Sequence, residues 1–206
     1  IMGLENLTAD MLDRLPDLKI ISRMGVGLDN VDPAMLRDRG IRIGWTGGTN
    51  RRSVAELMIA FSVCALRHVG PLYAAMRNAE RPRHQMGRHL SGRIVGLHGC
   101  GNVGKDVVRL LQAWDCEILA HDIRDFPEFY AEFGVTPVSF EDLVARSEVL
   151  SLHIPLDDTT RGHYSADVLD RMRADAVLIN TCRGGIIDEK ALKERLLDGR
   201  LAAACI

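Results

Sequence analysis

The sequence predicts an α/β fold built on a doubly wound parallel sheet. Three observations carry that expectation. Helix-like and strand-like stretches alternate almost from the start, the rhythm of parallel strands joined by helical crossovers rather than of a bundle or a sandwich. Several strand-like stretches (94–98, 149–153, 176–181) are apolar at successive positions, as strands covered on both faces are. And Gly99-Cys100-Gly101-Asn102-Val103-Gly104 stands between an apolar run and a helix-like stretch, with a second apolar run and Asp122 after it.

Taken in order, 18–22 reads as a short strand, 33–39 as a short helix with Pro33 at its start and Gly40 past its end, and 41–44 as another strand. Asp29, Asn30 and Asp32 read as caps for the helix at Pro33. After a Gly/Thr-rich loop at 46–50 comes a long helix over 54–69. Ser53 opens it with Glu56 three residues on, a reciprocal capping box, and Gly70-Pro71 ends it. Residues 77–91 are rich in Arg, His and Pro and poor in apolar residues, so they read as a connector between a first module (1–76) and a second (92–206). In the second module the expected elements are strand 94–98, helix 105–114, strand 117–121, a weaker helix through Phe129, and a short strand at 135–138. A helix from Phe140, strand 149–153, helix 165–172, strand 176–181, helix 189–197 stopped by Gly199, and strand 201–206 complete it. Residues 1–3 look like the tail of a strand and 201–206 like a buried strand without a turn after it, so the chain is expected to be part of a longer one.

Composition narrows the function classes. At 47% hydrophobic residues the chain can bury a core. A net charge of −2 gives no electrostatic footprint for nucleic acid or an anionic membrane. The one basic cluster, within 77–93, is interrupted by acidic and apolar residues. Five cysteines without a C-x-x-C pair suggest neither a disulfide framework nor a metal site, and point to a reduced, cytoplasmic setting. No apolar stretch approaches the roughly 20 residues that a membrane span needs, so a soluble protein with no membrane partner is expected.

The glycine motif supplies the chemistry. Gly99 permits a tight turn, Gly101 lets backbone approach a pyrophosphate, Gly104 allows close helix–strand packing, and the helix start presents N–H groups to the phosphates. Asp122, at the end of the next strand, would accept hydrogen bonds from the ribose hydroxyls and repel a 2′-phosphate. NAD is therefore the expected cofactor, with nearby Arg124 blurring the preference slightly. Ligands in such sheets bind beyond the carboxyl ends of the strands. Arg183, after the most apolar strand and before two glycines, is placed to hold a substrate carboxylate and polarise the adjacent carbonyl. The alternative for it is a surface arginine paired with Asp188 or Glu189. Gly25-Val26-Gly27 offers unobstructed N–H groups to a small anion, the alternative being a plain turn. Arg51 and Arg52 face either cleft or solvent. His153, before Pro155, is expected near the adenosine half rather than as an acid or base. The remaining histidines, 68, 84, 89, 98, 121 and 163, have no carboxylate partner at readable spacing, and His98 and His121 are expected in the core.

Several segments together resemble the D-isomer-specific 2-hydroxyacid dehydrogenase family, nearest to its D-3-phosphoglycerate dehydrogenase members. They are residues 18–32 (LKIISRMGVGLDNVD), Ser53-Val54-Ala55-Glu56-Leu57, the glycine motif, His153-Ile154-Pro155-Leu156 through Thr160, and 179–189 (INTCRGGIIDE). The resemblance implies a Rossmann-like domain, here 92–206 without its C-terminal part, beside a smaller, incomplete flavodoxin-like substrate domain that includes 1–76 and the interdomain helix. The two would close over NAD, usually in a homodimer. It implies that Arg183 is the catalytic arginine. Val26, Asn102, Val103, Asp122, Ile123, His153, Ile154, Pro155, Thr160, Thr181, Cys182 and Arg183 would contact cofactor alongside the three glycines. Arg23, Gly25, Val26, Gly27 and Arg183 would contact a small anionic 2-hydroxy or 2-keto acid, with 3-phosphoglycerate, glyoxylate and hydroxypyruvate as candidates. The family's proton-exchanging histidine, its assisting glutamate and an aspartate near the nicotinamide come after Ile206. A catalytically silent NAD(H)-sensing protein of the corepressor type is the alternative outside enzymes, and a phosphite or formate dehydrogenase the alternative within them.

Overall fold

A computed structural model describes residues 1–3, 5–28, 30–80 and 86–206. Asp29, expected as a cap, and residues 81–85 of the expected connector, His84 among them, lie outside the described residues. The chain forms two compact units, Ile1–Arg51 and Arg52–Ile206.

The first unit contains α1 (Ala9–Asp13), β1 (Ile20–Ser22), α2 (Pro33–Asp38) and β2 (Arg42–Gly44). β1 and β2 pair in parallel, Ile20 against Arg42 and Ser22 against Gly44. Met2 is bridged to Arg23, so the first residues do lie along this small sheet. Asp32 caps α2 through Ala34 N–H at 2.8 Å, as expected, with Pro33 in the first turn. Asn30 instead donates to the carbonyls of Gly3 and Glu5. Leu12, Ile21, Val31, Leu36 and Ile41 form the core. α1 was not expected from sequence. It is one turn long, held by Thr8 accepting from Met11 N–H, and too short to set a period.

The second unit begins at the second residue of α3 (Arg51–Leu66), and α4 (Val69–Arg77) follows. α3 starts three residues earlier than expected, as the turn before it delivers Arg51 N–H to Gly48 carbonyl, so Ser53 sits inside the first turn and is no cap. It stops at Leu66, and His68 takes a left-handed φ of 55° before the chain turns into α4. Gly70-Pro71 therefore lies in the first turn of a second helix, where a missing N–H costs nothing. Ala55, Met58 and Leu66 of α3, read from sequence with the first module, are buried in the core of this unit.

The six-stranded parallel sheet follows: β3 (Ile94–His98), β4 (Glu117–His121), β5 (Val135–Pro137), β6 (Val149–Leu152), β7 (Val177–Asn180) and β8 (Ala203–Cys205), in spatial order β5-β4-β3-β6-β7-β8. Helices α5 (Asn102–Leu111), α6 (Pro127–Phe133), α7 (Phe140–Arg146), α8 (Ala166–Asp170) and α9 (Glu189–Leu197) make the crossovers. Alternating strand residues face opposite layers. Val95, Leu97, Val149, Val177 and Ile179 pack with α3 and α5, while Leu119, Leu150, Leu152 and Leu178 pack with Leu143, Val168, Leu169 and Leu192. Each such fully covered side chain contributes about 1.5–3 kcal/mol, which explains the near-continuous apolar strands. The order reverses between β3 and β6, so a crevice opens beyond their carboxyl ends. Among the described residues no single helix is long and apolar enough to cross a membrane.

Candidate functional site

The glycine motif occupies that crevice. Gly99 has φ +98°, a conformation that side chains avoid, and a Cβ on it would sit 2.6 Å from His153 carbonyl oxygen. A Cβ on Gly104 would collide with Gly99 carbonyl, which is how α5 comes so close to the turn. A Cβ on Gly101 would meet nothing within 4 Å, so the open side of the loop lies there, where a phosphate would approach. Gly101 is the N-cap of α5. The first N–H groups of a helix have no partner within it, and Asn102 and Val103 carry two of them.

Asp122 follows β4. Its Oδ2 accepts Cys100 N–H at 2.6 Å and its Oδ1 accepts Arg124 N–H at 2.8 Å. These two bonds fix the carboxylate beside the glycine turn, and each oxygen keeps acceptor capacity for a hydroxyl. Ile123 is 99% exposed just beyond it, an uncovered apolar side chain at the rim.

On the β6 side, His153 shares the face of Val149. Both of its ring nitrogens are buried without a partner among the described residues, and burial lowers its pKa to about 4. Ile154 and Pro155 follow. Thr160 hydroxyl donates to Pro155 carbonyl at 2.7 Å and accepts Asp157 N–H at 2.9 Å, so it closes this loop.

After β7, Asn180 grips the next turn from both sides. Its Nδ2 donates to Arg183 carbonyl at 2.8 Å, and its Oδ1 accepts Cys182 N–H at 2.9 Å. Thr181 hydroxyl is buried without a partner among the described residues. Cys182 thiol donates to Leu152 carbonyl at 2.7 Å, and burial pushes its pKa up to about 12, an inert thiol. Arg183 is half-buried, with Nη1 donating to Cys182 carbonyl at 2.9 Å. It lines a cleft of about 390 Å³ with Asn180, Thr181, Cys182, Gly184 and Glu189 on one wall and Val54, Leu57 and Phe61 of α3 on another. Beside the apolar side chains of α3, the Arg183 guanidinium and the Glu189 carboxylate give this cleft both signs of charge, a lining that suits a small polar organic ligand.

In the first unit Arg23 is buried. Its Nε donates to Gly27 carbonyl at 3.1 Å and its Nη1 to Met24 carbonyl, so its guanidinium braces the loop Gly25-Val26-Gly27. Trp45 Nε1 donates to Val26 carbonyl at 2.9 Å. Arg51 donates to Gly48 carbonyl at 3.3 Å. Within the second unit, Arg52 pairs at 3.0 Å with Asp106, a buried carboxylate one turn into α5.

The second unit thus gathers Gly99, Gly101, Asn102, Val103, Gly104, Asp122, Ile123, His153, Ile154, Pro155, Thr160, Thr181, Cys182 and Arg183 along the carboxyl ends of four strands. Sequence reasoning did not assign Asn180. An Asn at a strand end that bonds its own backbone two residues on is the signal available for it. Nor did it bring His163 and Tyr164 beside His98.

The orphaned nitrogens of His153, the orphaned Thr181 hydroxyl, the open side of Gly101 and the fixed Asp122 carboxylate fit a dinucleotide. Comparison with known proteins agrees. Residues 59–206 match the family described as D-isomer specific 2-hydroxyacid dehydrogenase, NAD binding domain. The chain is 34% identical over 199 residues to a hydroxypyruvate reductase of Thermotoga maritima, covering 96% of this chain and 64% of that protein. It is 32% identical over 202 residues to a D-3-phosphoglycerate dehydrogenase of Methanocaldococcus jannaschii, covering 97% of this chain and 38% of that one. A crystal structure of a glyoxylate reductase from Paecilomyes thermophila superimposes with a TM-score of 0.84 at 32% identity, covering 92% of this chain and 58% of the other. The chain therefore spans less than two thirds of these relatives' lengths.

Proposed function

The chain belongs to the D-isomer specific 2-hydroxyacid dehydrogenase family, with the NAD-binding domain of that family in residues 59–206, and on that premise we propose that it acts in an NAD-dependent oxidoreductase for a small D-2-hydroxy acid or its 2-keto partner. The observation that carries this reading is the fixed juxtaposition of the glycine turn, Asp122 and Arg183 along one sheet edge.

NAD, when bound, supplies the acceptor for hydride from substrate C2 and, reduced, the donor for the reverse direction. The protein's residues do the rest. Backbone N–H groups at Asn102 and Val103 neutralise pyrophosphate oxygens, helped by the dipole of α5. Asp122 accepts from the adenosine ribose and disfavours a 2′-phosphate through like charge. Ile123, Ile154 and Pro155 would offer the adenosine apolar contacts, with Thr160 holding the loop after Pro155 closed. Arg183 holds the substrate carboxylate and polarises the carbonyl at C2 as negative charge grows there, while Asn180 holds its turn. Thr181, Cys182 and the α3 wall exclude water beside it. In the first unit, the N–H groups of Gly25, Val26 and Gly27, braced by Arg23, serve as the second anion cradle. Hydroxypyruvate, glyoxylate and 3-phosphoglycerate are the leading candidate substrates. The apolar, uncovered Val69, Tyr73 and Met76 of α4 support a homodimer. Neither nucleic acid nor membrane is a proposed partner, and the proposed setting is the cytoplasm.

The test uses the whole protein, assayed for NADH formation with 3-phosphoglycerate, glycerate, lactate and malate, and for NADH consumption with glyoxylate and hydroxypyruvate. Turnover of at least one is expected, and Arg183→Ala should lower kcat/KM on the order of a thousandfold with NADH affinity nearly kept. NADH binding without turnover of any would turn the assignment towards a sensing protein. Loss of NADH binding in Arg183→Ala would remove Arg183 from its catalytic role.

A further inference from the structure

Three imidazoles that the proposed reaction does not use meet under the cofactor crevice. His98 ends β3 and His121 ends β4, on the sheet face opposite Val95 and Leu97. His163 comes from the loop before α8. Their ring centroids lie 5.5 Å apart for His98 and His121 and 5.4 Å for His98 and His163, and Phe140, at the start of α7, packs on all three, 4.6 Å from His163. Tyr164 hydroxyl hydrogen-bonds His98 Nδ1 at 2.9 Å, and His121 Nδ1 donates to Val138 carbonyl at 3.1 Å.

The same residues anchor the crevice floor through their backbones. Gly99 N–H donates to His121 carbonyl at 2.8 Å, His153 N–H to His98 carbonyl at 2.8 Å, and Asp122 follows His121 directly. A charge appearing among these rings is therefore placed under the turn and the acid that bind the dinucleotide.

We propose that His98, His121 and His163 form a positioning cluster that holds the glycine turn and Asp122 in binding geometry only while it is uncharged, so that dinucleotide affinity is linked to protons. This rests on the NAD-binding reading of residues 99–122.

The surroundings set the sign. From β4, Asp122 favours a proton on His98, and from β6, His153 opposes one. From α8, Arg171 lies 5.9 Å over Phe140, and Glu141 of α7 is 3.9 Å from Arg171. From the other side come Tyr164 and, near it, the Cys182 thiol. Burial, then the neighbouring His163 and His121, hold His98 down at about 3. Burial, then His121, hold His163 below the ordinary histidine range. The folded protein therefore keeps His98 and His163 neutral near pH 7. His163, half-buried, charges before His98 as pH falls. A dinucleotide over the crevice removes more water from these rings and favours the neutral form further. Binding then expels a proton, and affinity falls with pH, by at most about tenfold per pH unit for one linked proton.

The experiment is calorimetric titration of the whole protein with ADP-ribose and with NAD at several pH values from about 8 to about 5.5, in two buffers of different ionisation enthalpy. The expected result is a dissociation constant about three- to tenfold higher at the acid end, with proton release on binding. His163→Leu should flatten that slope, and His89→Leu, which removes an exposed imidazole elsewhere, should retain it. NMR titration of the unliganded wild type should show the ring signals of His98 and Phe140, which pack on His163, moving as His163 titrates, a readout that needs no variant to fold. A flat wild-type slope, an unchanged slope in His163→Leu, or a His163 titration that leaves the neighbouring rings unmoved would overturn the proposal. Absence of binding at pH 8 would instead overturn the dinucleotide reading beneath it.

Discussion

Asn180 illustrates how a residue outside the chemistry can set it. It holds Arg183 carbonyl and Cys182 N–H with one amide, so Asn180→Ala would strand a donor and an acceptor in a partly buried turn. About 1–3 kcal/mol of stability should be lost, with kcat/KM falling more than NADH affinity, measured by denaturant unfolding beside steady-state kinetics. Gly99→Ala tests the opposite kind of position, since both its φ and the nearness of His153 carbonyl reject a side chain. Soluble expression should drop, and any folded fraction should bind NADH poorly. At this scale the sequence was informative about glycines and about Asp122, because backbone constraints leave only certain residue types possible. It assigned no partners to Asn180, His163 and Tyr164, because those are chosen by the fold. Arg23 was legible as belonging to an anion loop, but not as a residue whose guanidinium is bonded to that loop's own carbonyls.

Among the elements, strands were read most securely, since burial on both faces leaves an almost unbroken apolar run such as 176–181. Helix ends were read less well. Ser53 and Glu56 have the spacing of a capping box, yet the preceding turn starts α3 at Arg51, and the pattern falls within the helix. Asp188, in contrast, caps α9 by accepting Ala191 N–H at 3.0 Å. Ser53→Ala is therefore expected to change stability by less than about 0.5 kcal/mol and Asp188→Ala to cost about 1 kcal/mol, compared by chemical denaturation. A reversed ranking would restore the capping box. The break between α3 and α4 was hidden for a related reason. A Gly-Pro pair marks either an end or a beginning, and only the left-handed backbone at His68 decides which.

For the molecule as a whole, the alternation of elements announced a parallel doubly wound sheet, but the strand order is fixed by handed crossovers and packing that no local pattern records. Acid sensitivity belongs to this scale too. His98 has a folded-state pKa near 3 against about 6.5 unfolded. Below about pH 6.5 the unfolded chain takes up a proton that the folded chain refuses, so stability falls as pH falls through that window. One such site accounts for roughly 2–3 kcal/mol by pH 4.5, and His153, held near 4 by burial, adds in the same direction. Thermal unfolding from about pH 7.5 to about 4.5 should show the melting temperature dropping, with a shallower drop in His98→Leu. A flat profile would mean that these rings are as open to water in the folded chain as in the unfolded one.

The vacant space beside Gly101 carries one last consequence. Nothing stands where a methyl group would go, and although its φ of −76° is ordinary, its ψ of −145° lies outside the regions that side-chain-bearing residues favour. Gly101→Ala should therefore still fold, with its melting temperature lowered by a few degrees for that backbone strain, while NADH no longer protects it from heat. Such a pair of proteins, alike in architecture and different only in whether nucleotide is welcome, would let heat-protection measurements distinguish true ligands from compounds that merely stiffen any folded chain.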